Sequence, residues 1–232
     1  MSDAADPGRA IGVLNEKPLH AALKAWYAQP GDLLELPVAG YVVDIVREET
    51  LIEIQTRNLS AIRRKLEALS AHRPTHLVYP IAVDKWIVRL ADDGQSVLGR
   101  RRSPKRGVIW QLFRELVSVS HLCPRPTFTL EVSFIQEEEV RQQDGRRAWR
   151  THGWRRQERR LLSVLGSQRF ETPADFGRLL PADLAEPFTS ARLAAAVGQP
   201  ARCGRQITYC LRTMGEIAEV GRQGNARLYQ RA

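Results

Sequence analysis

Two acidic residues, Asp44 and Glu53, stand within short runs of mainly β-branched and apolar residues, at 41–46 and 51–56. The four residues that separate the runs are polar, a pattern that predicts an antiparallel hairpin. With the turn centred in that polar segment, Asp44 lies directly opposite Glu53. Because side chains alternate along a strand, Gln55 is expected on the same face as Glu53. The sequence therefore predicts a cluster of polar side chains on an otherwise apolar hairpin.

The opposed acids indicate a site for a cation. Directly opposite residues of an antiparallel pair have Cβ atoms about 5 Å apart, so two carboxylates there repel each other. Burial adds to the repulsion, since an unpaired charge inside a protein is strongly unfavourable. Mg²⁺ and Mn²⁺ prefer carboxylate oxygens and commonly keep waters or phosphate oxygens as further ligands. We therefore expect Asp44 and Glu53 to bind Mg²⁺ or Mn²⁺. The alternative is a half-buried hairpin whose acids face solvent.

Asp44, eight intervening residues and then Glu53-Ile54-Gln55 resemble the core motif of the PD-(D/E)XK nucleases, in the variant with glutamine at the lysine position. The resemblance covers about residues 12–90. It implies that Asp44 and Glu53 are catalytic metal ligands and that Gln55 orients the attacking water or the phosphate. It also implies phosphodiester hydrolysis as the reaction.

A helix is predicted at about residues 16–28, ahead of the first strand. Asn15 can cap its amino end, and apolar residues recur there at helical spacing. Many PD-(D/E)XK domains place an acid on the helix before the core sheet, so the resemblance implies Glu16 as an additional catalytic residue. The alternative is that Glu16 only stabilises the first helical turn through the helix dipole. His20, one turn further on, is interpreted as a histidine at the helix surface or boundary, with a catalytic role as the alternative.

The order of predicted elements indicates an α/β fold. After the first helix come a strand at 33–38, the hairpin, a helix at 58–70 and two strands at 75–81 and 85–90. This order is compatible with a restriction-endonuclease-like αβββαβ core. No glycine-rich phosphate loop follows a predicted strand, which argues against Rossmann and P-loop proteins.

Composition favours a nucleic-acid partner. The 232 residues include 35 basic and 26 acidic side chains, a formal net charge of +9. A folded protein with that excess attracts polyanions. No apolar run is long enough to cross a bilayer, so we expect no membrane partner. Three cysteines without a CxxC pair argue against structural zinc and for the reducing cytoplasm.

Basic residues in the first 150 positions cluster on the helix at 58–70 and in the segment 100–106. The second cluster contains a central proline and is predicted to be an exposed loop. A solvated basic face is the ordinary interpretation of such clusters, whereas a nearby phosphate-cutting site favours DNA contact. Lys65 is a candidate to replace the missing core lysine. The predicted DNA contacts in this half are Arg57, Arg64, Lys65, Arg101, Arg102, Lys105 and Arg106.

We expect a strand at 127–136, a charged connector to about residue 160, and helices from Arg155 onward. A helix at 189–197, a tight turn, a helix at 201–214 and a hairpin that ends the chain resemble a winged helix-turn-helix domain over 155–232. By that resemblance the second helix and the wing bind DNA; the alternative is protein contact. The implied DNA contacts are Arg202, Arg205, Gln206, Tyr209, Arg212, Arg222 and Arg227.

These observations predict a nuclease-like domain at 1–150 followed by the winged-helix domain at 155–232. The leading interpretation is a metal-dependent DNA endonuclease, with restriction, defence, repair and transposition all open as roles. The alternative is a non-catalytic DNA-binding transcriptional regulator with a degenerate nuclease fold. A third interpretation is an interaction subunit whose winged helix docks a partner protein. DNA is the expected partner, and a homodimer or a protein partner are open alternatives.

Overall fold

A computed structural model describes residues 17–143 and 153–232. Its strands are β1 (Leu33–Val38), β2 (Tyr41–Arg47), β3 (Thr50–Ile54), β4 (Thr75–Leu90), β5 (Val97–Arg102), β6 (Phe128–Gln143), β7 (Trp154–Phe170), β8 (Ile217–Gln223) and β9 (Ala226–Arg231). Its α-helices are α1 (Pro18–Tyr27), α2 (Arg63–Ser70), α3 (Leu112–Leu116), α4 (Pro173–Gly177), α5 (Ser190–Ala196) and α6 (Ala201–Met214). Short 3-10 turns cover Leu59–Ile62, Ile109–Gln111 and Ser120–Leu122.

The seven strands β1 to β7 form one mixed sheet. Its order is β1-β2-β3-β4-β6-β7, and β5 also pairs with β4. The first three strands are antiparallel, β4 is parallel to both β3 and β6, and β7 is antiparallel to β6. Helix α2 provides the crossover that a parallel β3–β4 connection needs. The expected α/β class is confirmed.

The β2–β3 hairpin has the register that its sequence predicts. Ile45 pairs with Ile52 and Arg47 pairs with Thr50, so the turn lies in the polar segment. Ile45 and Ile52 pack beneath α1 against Leu19 and Leu23, which are four residues apart on one helix face. This packing fixes the face of the hairpin that α1 covers.

The helix expected from Arg155 is wrong, because residues 154–170 form strand β7. The spacing of the leucines at 161, 162 and 165 favours a helix when the pairing of this segment with strand β6 is not known. In the fold, Arg159 and Arg160 lie opposite the acidic residues Glu139 and Glu138 of β6. Cross-strand charge pairs of this kind stabilise a sheet. The expected connector therefore belongs mostly to the antiparallel pair β6 and β7. The domain boundary expected near residue 150 falls between these two strands.

Two smaller expectations also need correction. The predicted strands at 75–81 and 85–90 are one continuous strand, β4, with an irregularity between Ala82 and Asp84. The segment 100–106 is not a loop throughout, since Arg100, Arg101 and Arg102 belong to β5 and pair with β4. These arginines remain exposed because β5 is at an edge of the sheet.

The last 60 residues contain the helices and hairpin that the sequence predicts. Helix α6 has the expected bounds and ends at Gly215, whose φ of 85° suits glycine. The Thr189 hydroxyl caps α5 by accepting from the amide of Arg192. Ile207 and Leu211 of α6 share one apolar core with Leu77 of the sheet. Across 17–143 and 153–232, none of the helices combines the length and apolar character that a bilayer crossing requires.

Replacing Gly204 with alanine is expected to lower the free energy of unfolding by about 1–3 kcal/mol. Helices α5 and α6 approach so closely that a Cβ at Gly204 would lie 2.1 Å from the carbonyl oxygen of Ser190 and 2.8 Å from Cβ of Ala194. Urea unfolding measures the change. Gly99→Ala is the matched control, because a Cβ there meets no atom within 4 Å. Equal effects of both substitutions would contradict the close approach.

Candidate active site at the β2–β3 hairpin

Asp44 is held at the end of the β2–β3 ladder by its own carboxylate. The last backbone pair on this side is Ile45 with Ile52. Beyond it, Oδ2 of Asp44 accepts a hydrogen bond of 2.8 Å from the amide of Ile54 and lies 3.2 Å from Nε2 of His20 on α1. Burial raises the pKa of Asp44, but the His20 and Ile54 contacts and the charge of Lys65 outweigh it and hold that pKa below its usual value. Asp44 is therefore an ionised, oriented carboxylate.

Glu53 is buried beside Asp44, and its pKa is shifted in the opposite direction. Its side chain is only 4% exposed. Burial and the negative charge of Asp44 raise its pKa to about 7, although Lys65 opposes the shift. Within the part of the chain that the structure describes, Oε1 of Glu53 has no hydrogen-bond partner. An acid with these properties has an oxygen and a charge that a cation would stabilise.

Lys65 brings a positive charge from α2 to the two carboxylates. Its Nζ donates to Oε2 of Glu53 and to the carbonyl oxygen of Val42, each at 2.6 Å. The amine thus bridges β2 and β3 where their ladder ends. Gln55, by contrast, directs Nε2 to the carbonyl oxygen of Asn58 at 3.5 Å. The role of Gln55 in orienting a water or phosphate stays a prediction.

Helix α1 contributes His20 and Lys24, which are one turn apart on its site-facing side. His20 contacts Asp44, and Nζ of Lys24 donates to Glu35 of β1. The contact with Asp44 differs from the boundary role expected for His20. The sequence signal for it is the i, i+4, i+8 spacing of Glu16, His20 and Lys24 along the edge of the apolar stripe. Glu16, the predicted acid on this helix, lies outside the described residues.

The residues present fit a hard divalent cation of the Mg²⁺ type. Such a cation commonly takes one or two carboxylates and completes its shell with water and phosphate oxygens. Asp44 is ionised, and Glu53 has a buried oxygen without a hydrogen-bond partner. Among residues 17–143 and 153–232, no group of three or more His, Cys, Asp or Glu side chains is arranged to hold a metal. Asp44 and Glu53 are therefore two candidate ligands, and the Ile54 carbonyl, water or phosphate oxygens would complete the shell.

The predicted DNA contacts of the first half lie on two surfaces. Arg57, Lys105 and Arg106 line a cavity of about 750 Å³, which also contacts α6. Arg101 and Arg102 lie on β5, where Arg102 pairs with Asp84 and lies 5.7 Å from the Trp86 ring. Arg64 is exposed on α2, next to the half-buried Lys65. The sequence did not predict the cavity, because its walls come from distant parts of the chain.

The predicted contacts on α6 separate into two directions. Four of them, at positions i, i+3, i+7 and i+10, form one exposed stripe: Arg202, Arg205, Tyr209 and Arg212. Gln206 instead lines the cavity. On the terminal hairpin, Arg222 lies opposite Arg227, which pairs with Glu219 at 3.1 Å. The stripe on α6 and the terminal hairpin thus each present exposed arginines.

The family model for a domain of unknown function (DUF8091) matches residues 17–171, which include Asp44, Glu53 and Lys65 and end directly after β7. An uncharacterized protein of Treponema pallidum (strain Nichols) is 28% identical over 222 residues, which is 95% of this chain and 87% of the relative. No solved structure matches the chain significantly. Because the family model covers more than half of the chain, the protein belongs to the DUF8091 family.

Proposed function

We propose that the protein is a metal-dependent DNA endonuclease. It would hydrolyse phosphodiester bonds of DNA with Asp44 and Glu53 as ligands of the catalytic metal ion. The observation that carries the proposal is a pair of largely buried carboxylates on adjacent strands, of which Asp44 contacts His20 and Glu53 contacts Lys65. Asp44 is kept ionised, while Glu53 has a raised pKa and an oxygen without a hydrogen-bond partner. Opposite shifts in neighbouring titratable groups are typical of catalytic sites.

The order of the first elements also supports the proposal. Helix α1 is followed by β1, β2 and β3, then by α2 and β4. This is the αβββαβ order of the restriction-endonuclease-like core, to which the Asp44, Glu53 and Gln55 motif is similar. The acids lie on β2 and β3, the central strands of that order. Asp44 and Glu53 therefore lie on adjacent strands, which supports a shared metal site.

Each residue of the site has a distinct proposed role. When bound, Mg²⁺ or Mn²⁺ would activate a water and neutralise the charge that develops on the phosphate. Asp44 and Glu53 would hold the cation, and His20 keeps Asp44 oriented. The Lys65 ammonium attracts the phosphate, a role that Gln55 cannot supply because its amide is uncharged. Gln55 orients the water or the phosphate.

Target binding is proposed for the last 60 residues, acting as a winged-helix domain. The exposed stripe of α6 would enter the major groove, and Arg222 and Arg227 would contact the backbone beside it. None of the stripe's three arginines has an ion-pair partner in the described chain, so their charge is available for phosphate or base contact. A cytoplasmic location accompanies this proposal, because all three cysteines are free thiols.

The test is cleavage of supercoiled plasmid by the purified protein. With Mg²⁺ or Mn²⁺ we expect nicked or linear DNA, and with EDTA we expect none. Products in EDTA at the rate seen with metal would contradict a metal-dependent site. Size-exclusion chromatography with and without DNA would show whether the active species is a monomer or a homodimer.

The same experiment distinguishes the second candidate, a DNA-binding transcriptional regulator. That reading is favoured by Gln55, since its amide replaces the cationic lysine and contacts Asn58 rather than the acids. A regulator would retain DNA in a salt-sensitive manner without cutting it in either metal. Retention without cleavage would therefore replace the nuclease proposal with the regulator.

A further inference from the structure

The cavity that contacts α6 is large enough for a small ligand. Its volume is about 750 Å³, within the usual range for ligand pockets. Its walls come from the chain after β3, the middle of β4, the segment before α3, the β6–β7 hairpin and α6. We call it the α6 cavity. None of its lining residues is Asp44, Glu53 or Lys65, the residues of the proposed metal site.

In the part of the chain that the structure describes, two cations of the α6 cavity have no acidic partner. Among the described residues, seven basic side chains line the cavity, and five of them pair with acids: Lys85, Arg106, Arg114, Arg156 and Arg159. Arg57 and Lys105 are exposed and have no ion-pair partner in the described parts of the chain. Unpaired cations at a concave surface favour an anionic ligand. Phosphate is the anion that several converging basic side chains commonly bind.

One cation of the cavity is fixed in place before any ligand binds. Both Nε and Nη2 of Arg159 contact Oε2 of Glu137, at 2.7 and 2.6 Å, and Nη1 donates to the carbonyl oxygen of Thr56 at 3.0 Å. Glu137 is 1% exposed, and Lys85 lies 3.4 Å from its Oε1. That Oε1 has no hydrogen-bond partner in the described chain. A buried acid that braces two basic residues reduces the ordering that a ligand would otherwise require.

The rest of the lining suits the base and sugar of a nucleotide. Tyr79 and Trp110 offer aromatic surface, and Gln111 and Gln206 offer amides that can both donate and accept. Aromatic faces stack on bases, and amides bind base edges. We propose that the α6 cavity binds a phosphorylated ligand of nucleotide size. The ligand is either a free nucleotide or one nucleotide of a DNA strand, since both present the same phosphate and base.

This proposal does not depend on the nuclease proposal, because binding in the α6 cavity needs neither a metal nor cleavage. It also gives Gln206 a function, although the exposed stripe of α6 points elsewhere. A ligand there would contact both the sheet and α6, the helix that is proposed to bind DNA. Nucleotide binding is therefore measured in EDTA, where the proposed metal site cannot act.

The test is isothermal titration with each of the four deoxynucleoside 5′-monophosphates, and separately with a short single-stranded oligonucleotide, all in EDTA. The test variant carries Arg57→Gln and Lys105→Gln. The control variant carries Arg155→Gln and Arg192→Gln, which removes the same charge from exposed residues outside both the cavity and the predicted DNA contacts. We expect the test variant to bind about 10- to 100-fold more weakly and the control to bind as the intact protein does.

Binding of a monophosphate with this pattern supports a free nucleotide as the ligand. The same pattern with the oligonucleotide alone supports a nucleotide within a strand. Equal weakening by both variants, or no binding of either probe at about millimolar concentration, would overturn the proposal. Circular dichroism of both variants verifies that they fold, and the exposure of all four substituted residues makes a folding defect unexpected.

Discussion

Replacing Asp44 with asparagine, or Glu53 with glutamine, is expected to lower the rate of Mg²⁺-dependent plasmid cleavage by at least about 1000-fold. Each substitution keeps the shape of the side chain and removes one negative charge. A cation held by two carboxylates then loses one of the two negative charges that its protein ligands supply. The initial rate of nicking, measured at saturating DNA, gives the size of the effect.

The matched control is Glu48→Gln, in the turn of the same hairpin. Glu48 is exposed and is not one of the two acids of the site. Its substitution should therefore leave the rate of cleavage unchanged. DNA retention by all three variants should equal that of the intact protein, since the proposed docking surface is on α6 and the terminal hairpin. Cleavage at the intact rate by both Asp44→Asn and Glu53→Gln would place the activity elsewhere or in a contaminant.

The hairpin that carries the acids was predictable because its determinants are local. Alternating apolar residues and one polar turn fix which residues face each other, and the pairing of Ile45 with Ile52 follows. Helix α6 was predictable for a similar reason, since its stripe of core residues is bounded by Pro200 and Gly215. Neither prediction required knowledge of a distant part of the chain.

Strand β7 was not predictable in this way. Its leucine spacing fits a helix, and only the acidic run of β6 makes an extended conformation more favourable. The same dependence on distant partners hid the contact of His20 with Asp44 and the α6 cavity. Lys65 lies between these cases. Its place on a basic helix was evident, but its 2.6 Å contact with Glu53 depends on how α2 crosses the sheet.

Glu53 is expected to make the metal-free protein less stable as pH rises from about 4.5 to about 7. Its folded pKa is about 7 and its ordinary value is 4.5, because burial and the charge of Asp44 favour the protonated form. In that range the folded protein retains a proton that the unfolded chain releases, so stability falls as pH rises. The full shift corresponds to about 3 kcal/mol in the free energy of unfolding.

Asp44 changes the stability with pH in the direction opposite to Glu53, and it does so in a different pH range. Its pKa is lowered below 3.8, so its contribution to stability is present above that pH and is lost only under more acidic conditions. The Asp44 effect therefore does not overlap the Glu53 range. A comparison of the intact protein with a Glu53 variant is needed to isolate the carboxyl of Glu53.

Urea unfolding in EDTA at pH 5 and pH 8 makes that comparison. The intact protein should lose more stability over this interval than Glu53→Gln, by about 2–3 kcal/mol, because glutamine does not titrate. Glu49→Gln, with a side chain 86% exposed, should behave as the intact protein does. Parallel profiles of the intact protein and Glu53→Gln would contradict the raised pKa. At pH 8, Mg²⁺ should restore stability to the intact protein and much less to Glu53→Gln, because a cation stabilises the ionised carboxylate.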